Sequence, residues 1–244
     1  MHVICGINPL LETLLSHPAV LERIVVAEGR GGSEVRQILK LAADHGIPHE
    51  FGGRERLENL APHQVHQGVA GICREQGYAT VDEVIANRHG KSKYDLVVLL
   101  DSVTDPQNLG SIIRTAHCCG ANGVIIPENR AASITASVAK ASAGAVAYLP
   151  TAMVVNLART IEYLKEKGFW IYGADAEAQT GIDAPDYQGN VALVMGSEGR
   201  GIRPLVRKKC DFLISIPMRG RVASLNVSVA AGVILFGILR KWGN

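Results

Sequence analysis

Three short segments hold most of the residues whose types and spacing could do chemistry. The first is DPQNLGSIIR at 105–114. Asp105-Pro106 and Asn108 are turn formers, and Gly110 lets backbone approach closely. Arg114 falls about one turn into the helix expected after this loop. An arginine just inside a strand-to-helix loop can grip a phosphate with two parallel N–H bonds. The plainer alternative is that Asp and Asn shape the turn while Arg114 pairs with an acid. The second segment is MGSEGRG at 195–201. Its glycines run GxxGxG, not the GxGxxG of a dinucleotide fingerprint, and no GK[ST] follows. Nicotinamide and ATP chemistry are therefore disfavoured, which leaves a backbone-lined pocket for another adenosine-type ligand. Glu198 is either a surface acid or a polar anchor in that loop. The third segment, ISIPMRGRVASLNVSVA at 214–230, runs from a β stretch through a loop into a helix by way of Ser224-Leu225-Asn226. A short side-chain oxygen there can accept an orphan N–H of the first turn.

Several chemistries are excluded by what is missing. No G-x-S-x-G elbow or Ser–His–acid set occurs, and no histidine follows His117, so hydrolysis through a histidine base has no agent. The five cysteines form no CxxC pair and read as reduced, mostly buried thiols. Cys118-Cys119 has only His117 at ligand distance in sequence, and His63 and His66 have no Cys or acid beside them in a known pattern. No metal is expected. His66-Gln67-Gly68 reads as a polar contact or a turn ahead of a strand.

The elements that would position these loops alternate. Residues 95–101, 123–127, 169–173, 191–195 and 212–217 are near-continuous apolar runs, the mark of strands covered on both faces. Helices lie between them, clearest at 156–167 and 204–209. Such alternation predicts an α/β fold with a mostly parallel sheet and helices on both sides. Ligands then bind beyond the carboxyl ends of the strands. The helix over 227–239 is apolar nearly all round, which calls for burial in a core or against a second subunit. The first seventy residues read as a smaller α/β module: strands at 3–5, 24–27, 49–51 and 69–73, helices at 9–15, 34–44 and 54–60, and Ser33 as a cap. The mixed-charge stretch 74–94 reads as a linker with a short helix at 81–87. This division gives domains of 1–73 and 95–244.

The formal net charge of +2 is uneven: residues 1–73 carry six Lys/Arg against eight Asp/Glu, and residues 95–244 carry fifteen against twelve. Seven of those fifteen (Arg200, Arg203, Arg207, Lys208, Lys209, Arg219, Arg221) fall in one span with Asp211 as its only acid. They form either a solvated face or a phosphate-binding surface. No apolar run is long enough to span a bilayer and the first residues have no secretion signal, so a cytoplasmic protein with no membrane partner is expected.

Together, DPQNLGSIIR, LVMGSEGRG and IPMRGRVASLNVSVA resemble, in order and spacing, the three motifs of the SpoU/TrmH branch of the SPOUT RNA 2′-O-ribose methyltransferases. The resemblance covers the whole chain, including the leading module with its His-Gln-Gly. It implies a C-terminal α/β knot domain in which a threaded segment forms a deep trefoil, preceded by a ribosomal-protein-like RNA-binding domain. It implies S-adenosylmethionine held near Met195, Gly196, Ile216, Ser224 and Leu225, and a homodimer that buries the 227–239 helix. It also implies methyl transfer to a ribose 2′-hydroxyl, with Asn108, Arg114, Glu198, Ser224 and Asn226 as site residues. The substrate so implied is a guanosine of large-subunit (23S) ribosomal RNA. A transfer-RNA ribose and a catalytically silent RNA-binding protein are the alternatives. A guanidinium does not give up its proton. Arg114 is therefore read as gripping the substrate phosphate and orienting the hydroxyl, not as a base. The net −2 of the leading module points to shape and base contacts over phosphate contacts there.

Overall fold

The computed structural model describes residues 3–16, 18–62, 65–73, 77–88, 93–221 and 224–243. The chain divides into two compact units, Met1–Gly77 and Tyr78–Asn244.

In the first unit, β1 (Val3–Cys5) is followed by α1 (Ile7–Ser16), β2 (Leu21–Ala27), α2 (Ser33–Asp44), β3 (His49–Gly52), α3 (Arg54–Leu60) and β4 (Val69–Cys73). The sheet order is β1-β4-β2-β3, antiparallel at both β4 contacts and parallel between β2 and β3. Val35, Ile38 and Ala42 of α2 recur at helical spacing and pack with Leu10 and Leu14 of α1 against one sheet face. Leu57 of α3 joins Val25, Ala70 and Ile72 in a smaller cluster. Ser33 is not the cap expected of it: the helix already includes it, and Gly32, with φ 128°, stands at the cap with no side-chain bond. The His-Gln-Gly stretch is a polar tie. Gln67 Oε1 accepts the Ile7 N–H at 3.0 Å, and His66 Nδ1 accepts the Gly68 N–H at 3.0 Å. His63 and Gln64 lie outside the described residues.

The second unit is built on β5 (Leu96–Asp101), buried at every position as its unbroken apolar run requires. Ahead of it, α4 (Val81–Ala86) starts from Thr80, whose hydroxyl accepts the Glu83 N–H while the Glu83 carboxylate takes the Thr80 N–H, a capping box. After it come α5 (Pro106–Cys118), β6 (Gly123–Pro127), α6 (Ala136–Ala141), β7 (Thr151–Val154), α7 (Leu157–Glu166), β8 (Phe169–Ala174), β9 (Asn190–Gly196), α8 (Pro204–Arg207), β10 (Phe212–Ile214) and α9 (Val227–Lys241). The sheet order is β10-β8-β9-β5-β6-β7, parallel at every pairing, so all six carboxyl ends lie along one edge. One face packs on α5 and α9, the other on α4, α7 and α8.

The expected α/β architecture holds, with differences at short elements. Neither β7 nor α6 was expected: TAMV is four residues, and ASVAKA is too short and too small-sided to display a period. β10 ends at Ile214, three residues before Pro217. The Ser215 N–H turns away from the sheet to Thr180 O at 2.9 Å, and proline could not continue the ladder. Ala79 N donates to Thr151 O at 2.9 Å and Val84 is fully buried, so residues from Tyr78 onward pack with the second unit.

A candidate active site at the carboxyl edge of the parallel sheet

Three loops at this edge carry the three motifs. At the end of β5 the chain turns into α5, where Asp105 Oδ1 accepts the Gln107 N–H at 2.9 Å and Pro106 occupies the first turn. This start sets Asn108 on the inner face, buried, and Arg114 on the outer face, exposed. Because the helix begins at Pro106, Arg114 lies more than two turns in, not one. Among the described residues it has no acid partner. Gly110 has a structural duty: a Cβ there would lie 2.5 Å from Ala141 Cβ and 2.8 Å from Val138 O, so it admits α6 against α5.

At the end of β9 the glycine loop closes on itself. Ser197 N donates to Gly201 O at 3.1 Å and Gly201 N to Ser197 O at 2.9 Å. A Cβ on Gly196 would lie 2.1 Å from the Gly201 carbonyl carbon, and Gly199 and Gly201 hold φ of 78° and 64°. These glycines first of all make a tight hairpin. Glu198 sits at its tip, exposed. Beneath it, Asp101 is 0% exposed; its Oδ2 accepts the Arg203 N–H at 2.8 Å and its Oδ1 the Arg203 Nε–H at 2.6 Å.

The third loop ends at Asn226, whose Oδ1 accepts the N–H groups of Ser228 at 2.9 Å and Val229 at 3.4 Å and so caps α9. Its Nδ2 reaches Asn108 Oδ1 at 2.9 Å and Glu198 Oε1 at 2.7 Å. Asn108 Nδ2 also donates to Glu198 Oε1 at 3.1 Å, and Val227 N points at the same oxygen at 3.4 Å. One carboxylate oxygen of the second motif thus gathers donors from the first and the third.

Asn108, Glu198 and Asn226 therefore stand together. Arg114 makes no bond to them. Met195 is buried with its side chain in the core, and Ile216 is half-buried against the same core. Ser224 and Leu225 are exposed beside Asn226. Among the described residues, neither Ile216 nor Leu225 makes a backbone hydrogen bond, so both offer free polar groups next to an apolar side chain.

Two features were not anticipated. One is the Asp101–Arg203 pair; an acid closing an otherwise apolar strand was the available signal. The other is Arg130, at φ 64°, in the loop after β6 that joins the β5 loop through Ala132 N to Val103 O at 2.9 Å. The cationic span also sorts itself. Arg203, Arg207 and Lys209 pair with Asp101, Asp175 and Glu162 from other segments. Arg200, Lys208, Arg219 and Arg221 have no acid partner among the described residues.

The chain joins a smaller α/β unit to a parallel α/β unit with polar residues at three strand-end loops, and both stretches match an RNA methyltransferase class. Residues 95–236 match the SpoU rRNA methylase family, and residues 3–79 match the RNA 2′-O ribose methyltransferase substrate-binding family. The chain belongs to the SpoU family. It is 42% identical over 238 residues to YacO of Bacillus subtilis (strain 168), assigned to the TrmH family of tRNA/rRNA methyltransferases, covering 98% of this chain and 95% of that protein. A Staphylococcus aureus (strain MSSA476) protein of the same assignment is 41% identical over 240 residues, with 98% and 96% covered. Among solved structures, the SpoU methyltransferase AviRb from Streptomyces viridochromogenes, in complex with AdoMet, superposes with a TM-score of 0.73 at 23% identity, over 98% of this chain and 89% of that one.

Proposed function

We propose that this enzyme transfers a methyl group from S-adenosylmethionine to a ribose 2′-hydroxyl of RNA, a guanosine of large-subunit ribosomal RNA, and works as a cytoplasmic homodimer. The observation that carries the reading is the convergence of Asn108 and Asn226 on one Glu198 carboxylate oxygen at the strand ends. The free backbone groups and apolar side chains of Ile216 and Leu225 suit an adenine, whose edge needs hydrogen bonds and whose face needs apolar cover. Bound there, the cofactor supplies a sulfonium methyl that is already electrophilic. The chain's own residues then have a positioning task. Glu198, held by three donors, fixes the loop beside the cofactor region. Arg114, exposed and without an acid partner among the described residues, grips the substrate phosphate and orients the hydroxyl. Arg200, Arg219 and Arg221 extend the phosphate contact along the same edge.

The dimer reading is supported by α9. Val229, Val233 and Phe236 are 51%, 40% and 56% exposed, and their spacing puts them on one stripe. The contacts of residues 226–227 with Glu198 and Asn108 also suit a C-terminal segment threaded as a trefoil knot. Calorimetry with S-adenosylmethionine tests the cofactor, and absence of binding heat would end the proposal. Mapping 2′-O-methyl marks in ribosomal and transfer RNA from a deletion strain tests the substrate. Loss of a transfer-RNA mark alone would move the assignment to a tRNA ribose, the alternative that the tRNA/rRNA naming of the relatives supports.

A further inference from the structure

We propose that Asp101 and Arg203 are a positioning pair that holds the 197–202 loop so that the Glu198 carboxylate stands between Asn108 and Asn226. This rests on the reading of Glu198 as a site residue. Asp101 and Gly196 are in register as the last residues of adjacent strands β5 and β9. The loop leaves the sheet at Gly196 and returns at Arg203. Asp101 catches the returning chain twice, by backbone N–H at 2.8 Å and by Nε–H at 2.6 Å. Two bonds from one residue to two oxygens of one carboxylate fix position and direction together. The other loop constraints act in the same place: the Ser197–Gly201 pairing and the buried Ile202. Glu198 therefore has little freedom other than its own side-chain torsions.

Stability alone does not explain a charge here. The carboxylate is 0% exposed while the arginine side chain is 39% exposed. A well-packed apolar pair is often as stable as a buried ion pair. What the pair adds is geometry. The backbone next to it is also unusual: Ser102, which follows Asp101, holds φ 67°, outside the comfortable range of a residue with a Cβ. Two fixed points, Asp101 on the strand and Arg203 on the loop, keep the turn into α5 and the glycine hairpin in constant relation. Asn108 belongs to the first and Glu198 to the second.

The test is a double-mutant cycle. Asp101→Asn and Arg203→Met are each measured alone and combined with Glu198→Gln, with kcat and the KM for S-adenosylmethionine followed separately on one RNA. Each is expected to lower kcat/KM by about 10- to 100-fold in the wild-type background and by less than about 3-fold once Glu198 is glutamine, because contacting residues of one network are not additive. Equal losses in both backgrounds would mean that the pair only supports the fold, and would overturn the inference. Wild-type turnover by Glu198→Gln would instead overturn the reading of Glu198 itself. If Asp101→Asn does not fold, Arg203→Met, which keeps the backbone N–H to Asp101, decides the matter alone.

Discussion

Asn226 Nδ2 donates to Asn108 Oδ1 at 2.9 Å, joining two residues 118 positions apart in the chain. The same side chain uses its oxygen to cap α9 through Ser228 and Val229. Its two ends therefore have separable duties. Asn226→Asp keeps an oxygen for the cap but loses the donor and sets a second carboxylate against Glu198. Asn226→Ala loses both. Asparagine caps are worth about 1 kcal/mol. The alanine variant should therefore melt about 2–4 °C lower by calorimetry, and the aspartate variant within about 2 °C of wild type. Both should lose at least about tenfold in kcat/KM, the cost of about one charge-assisted hydrogen bond. Normal methyl transfer by Asn226→Asp would show that the residue only caps.

Arg114 is exposed on α5 with no acid partner among the described residues, so its side chain is not held for the fold. Arg114→Lys preserves the charge but not the planar fork. Turnover should fall at least about tenfold, with an unchanged circular dichroism spectrum and a melting temperature within about 1 °C, as for a surface substitution. Near-wild-type turnover would remove Arg114 from the site.

How much of the fold and site is legible in the sequence depends on range. The apolar runs at 96–101 and 123–127 predict buried parallel strands because each states its burial locally. The motif residues can be picked out for the same reason: Asn108, Glu198 and Asn226 lie at or beside the turns where strands end and helices begin. Their meeting on one oxygen cannot be read, because it depends on how three strand ends are ordered in the sheet. The cationic span misleads in an instructive way. Asp211 is its only acid in sequence, yet Arg203, Arg207 and Lys209 are paired by Asp101, Asp175 and Glu162 from elsewhere. Partners supplied from distant segments leave no trace in local charge. Gly110 and Gly196 each make room for the chain itself, against α6 and within the hairpin, a duty whose partner the sequence does not name.

That sorting of cations predicts which arginines touch RNA. Each of Arg200→Ala, Arg219→Ala and Arg221→Ala should weaken RNA binding and reduce the slope of log K against log salt by about 0.7–1, one phosphate contact each. Arg207→Ala should leave the slope unchanged, since its guanidinium is engaged by Asp175 at 2.5 Å. Titrations at four salt concentrations by fluorescence anisotropy decide it. A lower slope for Arg207→Ala, or none for the other three, would contradict the assignment.

The Asp175–Arg207 pair has its own signature in pH. Burial pushes the Asp175 carboxyl up, but hydrogen bonds from the Arg207 side chain and the Glu177 N–H, with the charge of Arg207, outweigh it and hold the group below its ordinary value. A carboxyl depressed in the folded state contributes stability that is present above its unfolded value, about 3.9, and is lost as pH falls through the folded value. Wild type should therefore resist urea better than Asp175→Asn at pH 7. The gap in midpoints should narrow as pH falls below the unfolded value, so that it is smaller at about pH 3 than at pH 7. A gap that persists undiminished at that pH would mean the carboxylate charge is not what stabilises.

Arg130 combines a charge with no acid partner among the described residues and a strained backbone, since φ 64° is a conformation that residues with a Cβ rarely adopt. Its loop is tied to the β5 loop by Ala132 N to Val103 O at 2.9 Å, which places it on the edge that carries Asn108. Strain kept at such an edge usually serves function. Arg130→Gly should relieve about 1–2 kcal/mol of left-handed strain, of which the extra entropy glycine gives the unfolded chain cancels about 0.5–1 kcal/mol. Arg130→Ala keeps the strain and removes the charge, so it should not stabilise. Both should bind RNA more weakly, with a salt slope lower by about 0.7–1. Melting curves and anisotropy titrations on the two variants separate the effects: a glycine variant that is more stable and binds RNA as tightly as wild type would mean that the charge at Arg130 makes no contact with the substrate.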